Sequence, residues 1–378
     1  MKKNGKIAFV SNTSWSVYNF RLGIIKRLLA LGLEVIIIAP NDDYSQKLKD
    51  LGCHFFPLSL DNYSTNPLKD IRTTFQLWNL YRQLKPDYIF HYTIKPNFYG
   101  TIAAFLNGIP SIAITTGLGH LFFSNPIVTF ITTNLYRLTG KLTKEIWFLN
   151  ESDRITFIEK ELVAPEKTFL LPSEGVNIEH FSPQPRRTFS NKTIFLYAGR
   201  MLKNKGVALL EKASNILQQR GYEIEVQLLG DISRYIPNGI TPEQLNRWQI
   251  EGHIRYLGIT ADVRPFIANA DCIVFPSYYG EGISRILLES ASMEKAIIST
   301  DHVGCREVVE DGKNGFLIPI KNVVALVKAM EQFLSLNATD RKAMGKFGRE
   351  KVKREFEEEK IISIYLEKIA CQDKIPVQ

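Results

Sequence analysis

Thr193-Ile-Phe-Leu-Tyr-Ala-Gly199-Arg200-Met-Leu-Lys-Asn-Lys205-Gly206 reads as a buried strand that ends in glycine and hands over to two cations before the next helical pattern begins. A near-continuous apolar run of this length fits a parallel strand covered on both faces. In open α/β sheets, ligands bind outside the carboxyl ends of such strands. Arg200 and Lys205 therefore stand where a ligand would arrive, and two cations there suit a diphosphate. The plainer alternative is a pair of solvated loop cations, the usual fate of Lys and Arg.

About 80 residues downstream the pattern recurs. Cys272-Ile-Val-Phe275 is strand-like, Pro276-Ser-Tyr-Tyr-Gly280 is a loop, and Glu281-Gly-Ile-Ser-Arg-Ile-Leu-Leu-Glu289 turns helical from about Ile283. Glu281 falls in the loop and Glu289 about a turn and a half into the helix. Between them Gly282, Ile283 and Ser284 would present N–H groups of a helix start, a ready site for phosphate. A diphosphate held there leaves one carboxylate on each flank to bind hydroxyls, a layout that suits a nucleotide-sugar. An acidic first turn is also a common helix feature with no ligand attached.

Working outward, strands and helices alternate twice over. Strand candidates are 193–199, 224–229, 254–257, 272–275, 296–299 and 315–318 in the second half, and 6–11, 34–39, 88–92, 111–115 and 145–149 in the first. Helical patterns occupy 18–32, 67–85, 97–107 and 127–140, and charged helical patterns fill 321–370. The prolines of Phe181-Ser-Pro-Gln-Pro-Arg-Arg-Thr-Phe-Ser-Asn191 mark a linker. This predicts two doubly wound Rossmann-like α/β domains facing a central cleft: 1–172, a linker over 173–191, 192–355, and a terminal helical segment 356–378.

The motifs in their order resemble the retaining nucleotide-sugar glycosyltransferases of family 4, with the GT-B architecture. The residues that carry the resemblance are Gly199-Arg200-x₄-Lys205-Gly206, the Glu281-x₇-Glu289 pair, and Gly304-Cys-Arg-Glu307 leading to Asn314-Gly-Phe-Leu317. More loosely, Asn12-x₂-Trp15-Ser-x-Tyr18-Asn-Phe20-Arg21, His91-Tyr-Thr-Ile-Lys95-Pro-Asn97 and Thr116-Gly-Leu-Gly119 resemble enzymes that add N-acetylhexosamines to polyprenyl-diphosphate-linked glycans. The resemblance implies a UDP-sugar donor, transfer with retention, a lipid-linked saccharide acceptor, and a terminal helix packed on the first domain. It implies that Arg200 and Lys205 neutralise the leaving diphosphate, that Glu281 holds hydroxyls of the transferred sugar, and that Glu289 holds the ribose diol. The base would rest near Tyr256 and Leu257. Many members carry a histidine about where Ile114-Thr-Thr-Gly117 stands here. His120 comes slightly later, as a substitute for it, an acceptor contact or a surface residue.

The first half contains no G-x-G-x-x-G after its opening strand; the turn Ser11-Asn-Thr-Ser-Trp-Ser-Val-Tyr-Asn19 holds no glycine, which argues against a dinucleotide-dependent oxidoreductase. Asn12 and Trp15 suit sugar recognition by hydrogen bonding and ring stacking, unless Trp15 packs in the core. His91 and Lys95 flank a strand end and either is placed to meet an acceptor diphosphate, unless His91 is a buried structural residue. No Asp-x-Asp motif is present, so no metal clamp and no cofactor beyond the donor substrate is expected. Two rival readings are a nucleotide-sugar 2-epimerase and a non-catalytic glycan-binding relative. Retention of all four charged residues, Arg200, Lys205, Glu281 and Glu289, favours the transferase.

Composition bounds the rest. The 378 residues are 45% hydrophobic and 23% charged, an ordinary globular balance with ample core. Cys53, Cys272, Cys305 and Cys371 are far apart and read as free thiols of a reducing compartment. No apolar run approaches the ~20 residues of a membrane span, and no signal peptide is evident. The net charge is +8, with 19 Lys/Arg against 13 Asp/Glu in residues 1–170. That excess fits an anionic membrane surface or a diphosphate-linked acceptor, or simply a basic protein. No arginine-rich stripe points to nucleic acid. The segment Leu121-Phe-Phe-Ser-Asn-Pro-Ile-Val-Thr-Phe-Ile131, followed by Arg137, Lys141 and Lys144, would dip into the interface or pack on the sheet. The expectation is a cytoplasmic enzyme, peripheral at the inner face of the membrane.

Overall fold

The computed structural model describes residues 5–61, 66–117, 126–186, 190–232, 239–280 and 282–371. The chain divides into two compact units: unit 1 is Met1–Gly175 with Glu358–Gln378, and unit 2 is Val176–Glu357.

Unit 1 is built on seven strands: β1 (Lys6–Val10), β2 (Glu34–Ala39), β3 (His54–Pro57), β4 (Tyr88–Tyr92), β5 (Ser111–Thr115), β6 (Glu145–Phe148) and β7 (Thr168–Leu170). All pair in parallel, in the order β3-β2-β1-β4-β5-β6-β7. Unit 2 repeats the plan with β8 (Thr193–Ala198), β9 (Ile224–Leu229), β10 (Arg255–Tyr256), β11 (Cys272–Phe275), β12 (Ala296–Thr300) and β13 (Gly315–Ile318), in the order β10-β9-β8-β11-β12-β13. Each sheet reverses strand order beside its first strand, the doubly wound pattern, and each is therefore Rossmann-like.

The expected central strands are present within a residue or two of their predicted ends. The strands missing from the sequence reading, β3 and β7, are the two edges of the first sheet. His54-Phe-Phe-Pro57 and Thr168-Phe-Leu170 are short, partly exposed and lack an apolar run, as edge strands commonly do. The predicted strand 254–257 shrinks to the two-residue edge β10.

The first helix starts at Ser14 rather than 18, because the Thr13 hydroxyl accepts from the Ser16 N–H and caps it. Between β4 and β5 the expected helix is present, its first part a π-helix, Pro96–Gly100, that continues as the α-helix Thr101–Leu106. Within unit 1, the helix Glu358–Ala370 seats Tyr365 against Phe90 and Trp147, at ring distances of 5.0 Å each, and bonds its hydroxyl to that of Tyr92 at 3.0 Å. Lys368 pairs with Glu145 at 2.8 Å. Counting this helix, unit 1 carries 22 Lys/Arg and 18 Asp/Glu, and unit 2 carries 25 and 21. The positive charge is thus shared evenly, which removes the asymmetry read from residues 1–170. Among the described residues no helix is long and apolar enough to cross a membrane.

Candidate active site

The loops after β8, β11 and β12 meet at the carboxyl edge of the unit 2 sheet. After β8 the chain makes a short 3₁₀ turn, Lys203–Lys205, and then Gly206 enters the helix Val207–Gln219 with φ of 80°. A Cβ on Gly206 would lie 2.1 Å from the Pro276 carbonyl oxygen, so only glycine lets these two loops touch. The Tyr278 N–H donates to the Asn204 carbonyl at 2.9 Å and fastens the same contact. Ser299 Oγ donates to the Phe275 carbonyl at 2.7 Å, tying the end of β12 to that of β11.

Lys205 is the centre of this arrangement. Its residue is 7% exposed, and its ammonium lies over the rings of Phe275 at 5.2 Å and Tyr279 at 5.3 Å. Burial, reinforced by the nearby Arg200 guanidinium, lowers its pKa to about 7. Arg200 itself is exposed, and its carbonyl accepts from the Tyr197 hydroxyl at 2.8 Å. The repulsion between the two cations is part of the lowering at Lys205.

The helix predicted near Ile283 runs from Arg285 to Ser292. The Ser284 N–H is already committed: it donates to the Gly304 carbonyl at 2.9 Å. Gly304 in turn donates its N–H to Glu307 Oε2 at 2.7 Å, so the Gly304–Glu307 motif acts as a brace beneath the helix start. Burial raises the Glu307 pKa, with its hydrogen bonds opposing. Glu289 is 13% exposed and accepts from Arg285 Nε at 2.9 Å. Burial raises its pKa while Arg285 pulls it down. The sequence reading gave no role to Arg285 or Glu307. The Arg–Glu spacing of four residues on one helix face was the signal available for the first. Glu281 lies outside the described residues.

Tyr256 and Leu257 lie on and beside the edge strand β10. Their N–H groups are bonded, to Gln249 Oε1 at 3.1 Å and to the Leu228 carbonyl at 2.9 Å, so neither N–H is open to a base. The Tyr256 hydroxyl donates to the Gly230 carbonyl at 2.8 Å.

In unit 1, Trp15 is 45% exposed at the start of the first helix, edge-on to Phe20 at 5.2 Å, rather than in the core. Asn12 precedes it, half-buried. His91 corrects the acceptor set. It is fully buried in β4, bonded through Nε2 to the Tyr81 hydroxyl at 2.9 Å, and burial lowers its pKa to about 3. A neutral enclosed imidazole cannot reach a diphosphate. Lys95 is also engaged: it pairs with Asp70 Oδ1 at 2.7 Å, while the Tyr99 hydroxyl holds Oδ2 at 2.7 Å. Its charge is answered within the fold. His120 lies outside the described residues.

Buried polar atoms gather at the ends of β4 and β5. Thr93 has φ of 71°, rare for a β-branched residue. Asn97 Oδ1 and Thr115 Oγ1 are buried with no hydrogen-bond partner among the described residues. For metals, Glu211, Glu251 and His253 bring ligand atoms within 4.8 Å of one another among the described residues. A proton on His253 Nδ1, 2.9 Å from Glu211 and 3.4 Å from Glu251, accounts for that group without an ion.

Comparison with known proteins follows the same division. Residues 192–336 match the family model described as glycosyl transferases group 1, and residues 6–150 match glycosyl transferase 4-like. The chain is 30% identical over 353 residues to a Campylobacter jejuni N,N'-diacetylbacillosaminyl-diphospho-undecaprenol alpha-1,3-N-acetylgalactosaminyltransferase, covering 89% of this chain and 90% of that one. The chain belongs to the group 1 glycosyltransferases. An Escherichia coli UDP-Gal:alpha-D-GlcNAc-diphosphoundecaprenol alpha-1,3-galactosyltransferase is 24% identical over 292 residues, 73% of each chain. Among solved structures, a Rickettsia africae glycosyltransferase superposes with a TM-score of 0.81 at 19% identity, covering 98% of this chain and 100% of that one. Anabaena HepE, solved with UDP-glucose, gives 0.80 at 17%, covering 97% and 99%. These glycosyltransferases share the GT-B fold of two Rossmann-like domains.

Proposed function

We propose that this glycosyltransferase moves an N-acetylhexosamine from a UDP-sugar to a saccharide carried on a lipid diphosphate, with retention of anomeric configuration, at the cytoplasmic face of a membrane. The observation that carries the donor side is the meeting of Arg200, Lys205 and the braced helix start Gly282–Arg285 at one edge of the unit 2 sheet. Two cations in a partly buried site are stabilisers of charge that develops on a leaving diphosphate, the kind of preorganised electrostatics that often supplies the largest catalytic effect. The acceptor side draws on the relatives whose names specify undecaprenol-diphosphate saccharides.

In the reaction, the bond between the sugar's anomeric carbon and the β-phosphate oxygen breaks, and UDP leaves with that electron pair. The acceptor hydroxyl oxygen bonds the anomeric carbon from the same face, and its proton passes to a donor phosphate oxygen. Arg200 and Lys205 hold the diphosphate. Glu281 would hold hydroxyls of the transferred sugar. Glu289, oriented by Arg285, would accept from the ribose diol. On the acceptor side, Asn12 and Trp15 remain as the groups offered to a sugar, while His91 and Lys95 are held within the fold. No metal is assigned a role in this scheme.

A donor screen reading UDP release, run in excess EDTA with and without a lipid-diphosphate saccharide, tests this reading. Release is expected with a UDP-N-acetylhexosamine only when acceptor is present, with most of the rate surviving EDTA. Conversion of UDP-N-acetylglucosamine to its 2-epimer without acceptor would establish the epimerase instead. Activity lost in EDTA and restored only by magnesium or manganese would place a metal in the mechanism.

A further inference from the structure

Two helices of unit 1 carry large apolar side chains that the fold leaves in solvent. On the helix Pro67–Leu84, Thr73, Leu77 and Tyr81 face inward, while Leu68, Ile71 and Phe75 are 76%, 65% and 61% exposed. Their spacing of three and four residues makes one stripe. On the helix Pro126–Leu142, Thr132, Tyr136 and Thr139 face inward, and Phe130 and Ile131 are 72% and 52% exposed. Both helices pack on Thr101–Leu106, which lies between them, so the three form a row.

Both apolar groups lie in the N-terminal halves of their helices. Those halves follow β3 and β5, and therefore stand at the carboxyl edge of the sheet. A lone exposed leucine needs no explanation, but five large side chains grouped at one end of a fold do. The charges among them are positive. Lys69 and the exposed Arg72 interleave with the stripe, and Arg72 has no ion-pair partner among the described residues. Asp70 is turned away, held by Lys95 and Tyr99. The exposed Lys69–Asp61 pair, at 2.9 Å, is open to screening.

We propose that this face, Leu68, Ile71 and Phe75 with Phe130 and Ile131, is a docking surface for an anionic lipid bilayer. The proposal rests on the reading that the acceptor is lipid-linked. An apolar stripe studded with cations is what an interfacial helix presents: the apolar groups enter the headgroup–acyl boundary while the cations meet anionic headgroups. The carboxyl edge of the unit 1 sheet, where the acceptor is placed, would then face the membrane. A diphosphate head anchored in the bilayer would arrive at that edge without leaving its lipid.

The test is co-sedimentation with phosphatidylcholine vesicles, with and without phosphatidylglycerol, at low and high salt. The proteins compared are wild type, Ile71→Ser/Phe75→Ser and Phe130→Ser. Wild type is expected to bind the anionic vesicles and to release with salt, since screening shortens the reach of the cations. Each variant is expected to partition at least about tenfold less while keeping its rate on a short-chain, water-soluble diphosphate acceptor. Variants that bind like wild type would overturn the proposed surface. So would wild type that ignores anionic lipid, and if it still turns over the soluble acceptor the transferase reading stands without the docking. A dimer that the same substitutions dissociate, with no vesicle binding, would assign the face to a second copy of the chain and overturn the proposal.

Discussion

Arg200→Ala and Lys205→Met are each expected to lower turnover by about 10² or more, the scale for removing one preorganised group that stabilises developing charge. The expectation is specific because of where Lys205 sits. Its amine is 7% exposed, lies over the rings of Phe275 and Tyr279, and has a pKa lowered to about 7. Its pKa in the fold is below its value in the unfolded chain, so the unfolded state binds more protons between about pH 7 and 10.5. Lys205 thus opposes folding most strongly at and below neutral pH, and its burden fades as pH rises. Lys205→Met, which keeps the apolar stem over Phe275 and Tyr279, is therefore expected to melt no lower than wild type while losing activity. The same reasoning sets the pH profile. Donor kcat/KM, which reports the free enzyme, should fall as pH rises through about 7. In the complex, the bound diphosphate raises the Lys205 pKa, so kcat should hold to higher pH. Near-wild-type rates in both variants, with intact folds by circular dichroism, would remove Arg200 and Lys205 from the site.

Gly206→Ala is expected to damage both fold and activity. The residue adopts φ of 80°, and its new Cβ would stand 2.1 Å from the Pro276 oxygen and 2.7 Å from its carbonyl carbon, backbone atoms that cannot swing aside. Left-handed backbone costs a residue with a Cβ about 1–2 kcal/mol, and overpacking adds about 1–3 kcal/mol. Gly221→Ala is the control: φ there is 83° and nothing lies within 4 Å, so only the conformational cost applies. Thermal unfolding should separate the two variants by several degrees, at roughly 2–4 °C per kcal/mol for a unit of this size. Turnover should fall in Gly206→Ala alone, because pushing Pro276 away displaces Lys205 from Phe275 and Tyr279. Equal melting temperatures for the two variants would mean that the loops accommodate the methyl group.

The sequence made the interior of each sheet legible because central parallel strands are covered on both faces and need unbroken apolar runs. Edge strands do not, which is why His54–Pro57 and Thr168–Leu170 carried no signal. The same logic explains His91. It belongs to Tyr88-Ile-Phe-His-Tyr92, every residue of which is buried, and a histidine inside such a run has no outward face. The run itself held the warning. Lys95 held none: its partner Asp70 lies on another helix, joined by a fold the local pattern cannot show. The donor-side motifs are short and contiguous at strand ends, and the loops that carry them after β8 and β11 do meet. What they do not reveal is which N–H groups the loops keep for themselves, as Ser284 does with Gly304 and Leu257 with Leu228.

The central claim is most directly tested by one measurement: proton NMR of the product formed from a UDP-α-N-acetylhexosamine and a lipid-diphosphate saccharide. The account predicts a single new anomeric signal with the small coupling of an α-linkage, and one UDP for each acceptor extended. A β-linked product would contradict retention, and UDP formed with no extended acceptor would contradict transfer itself.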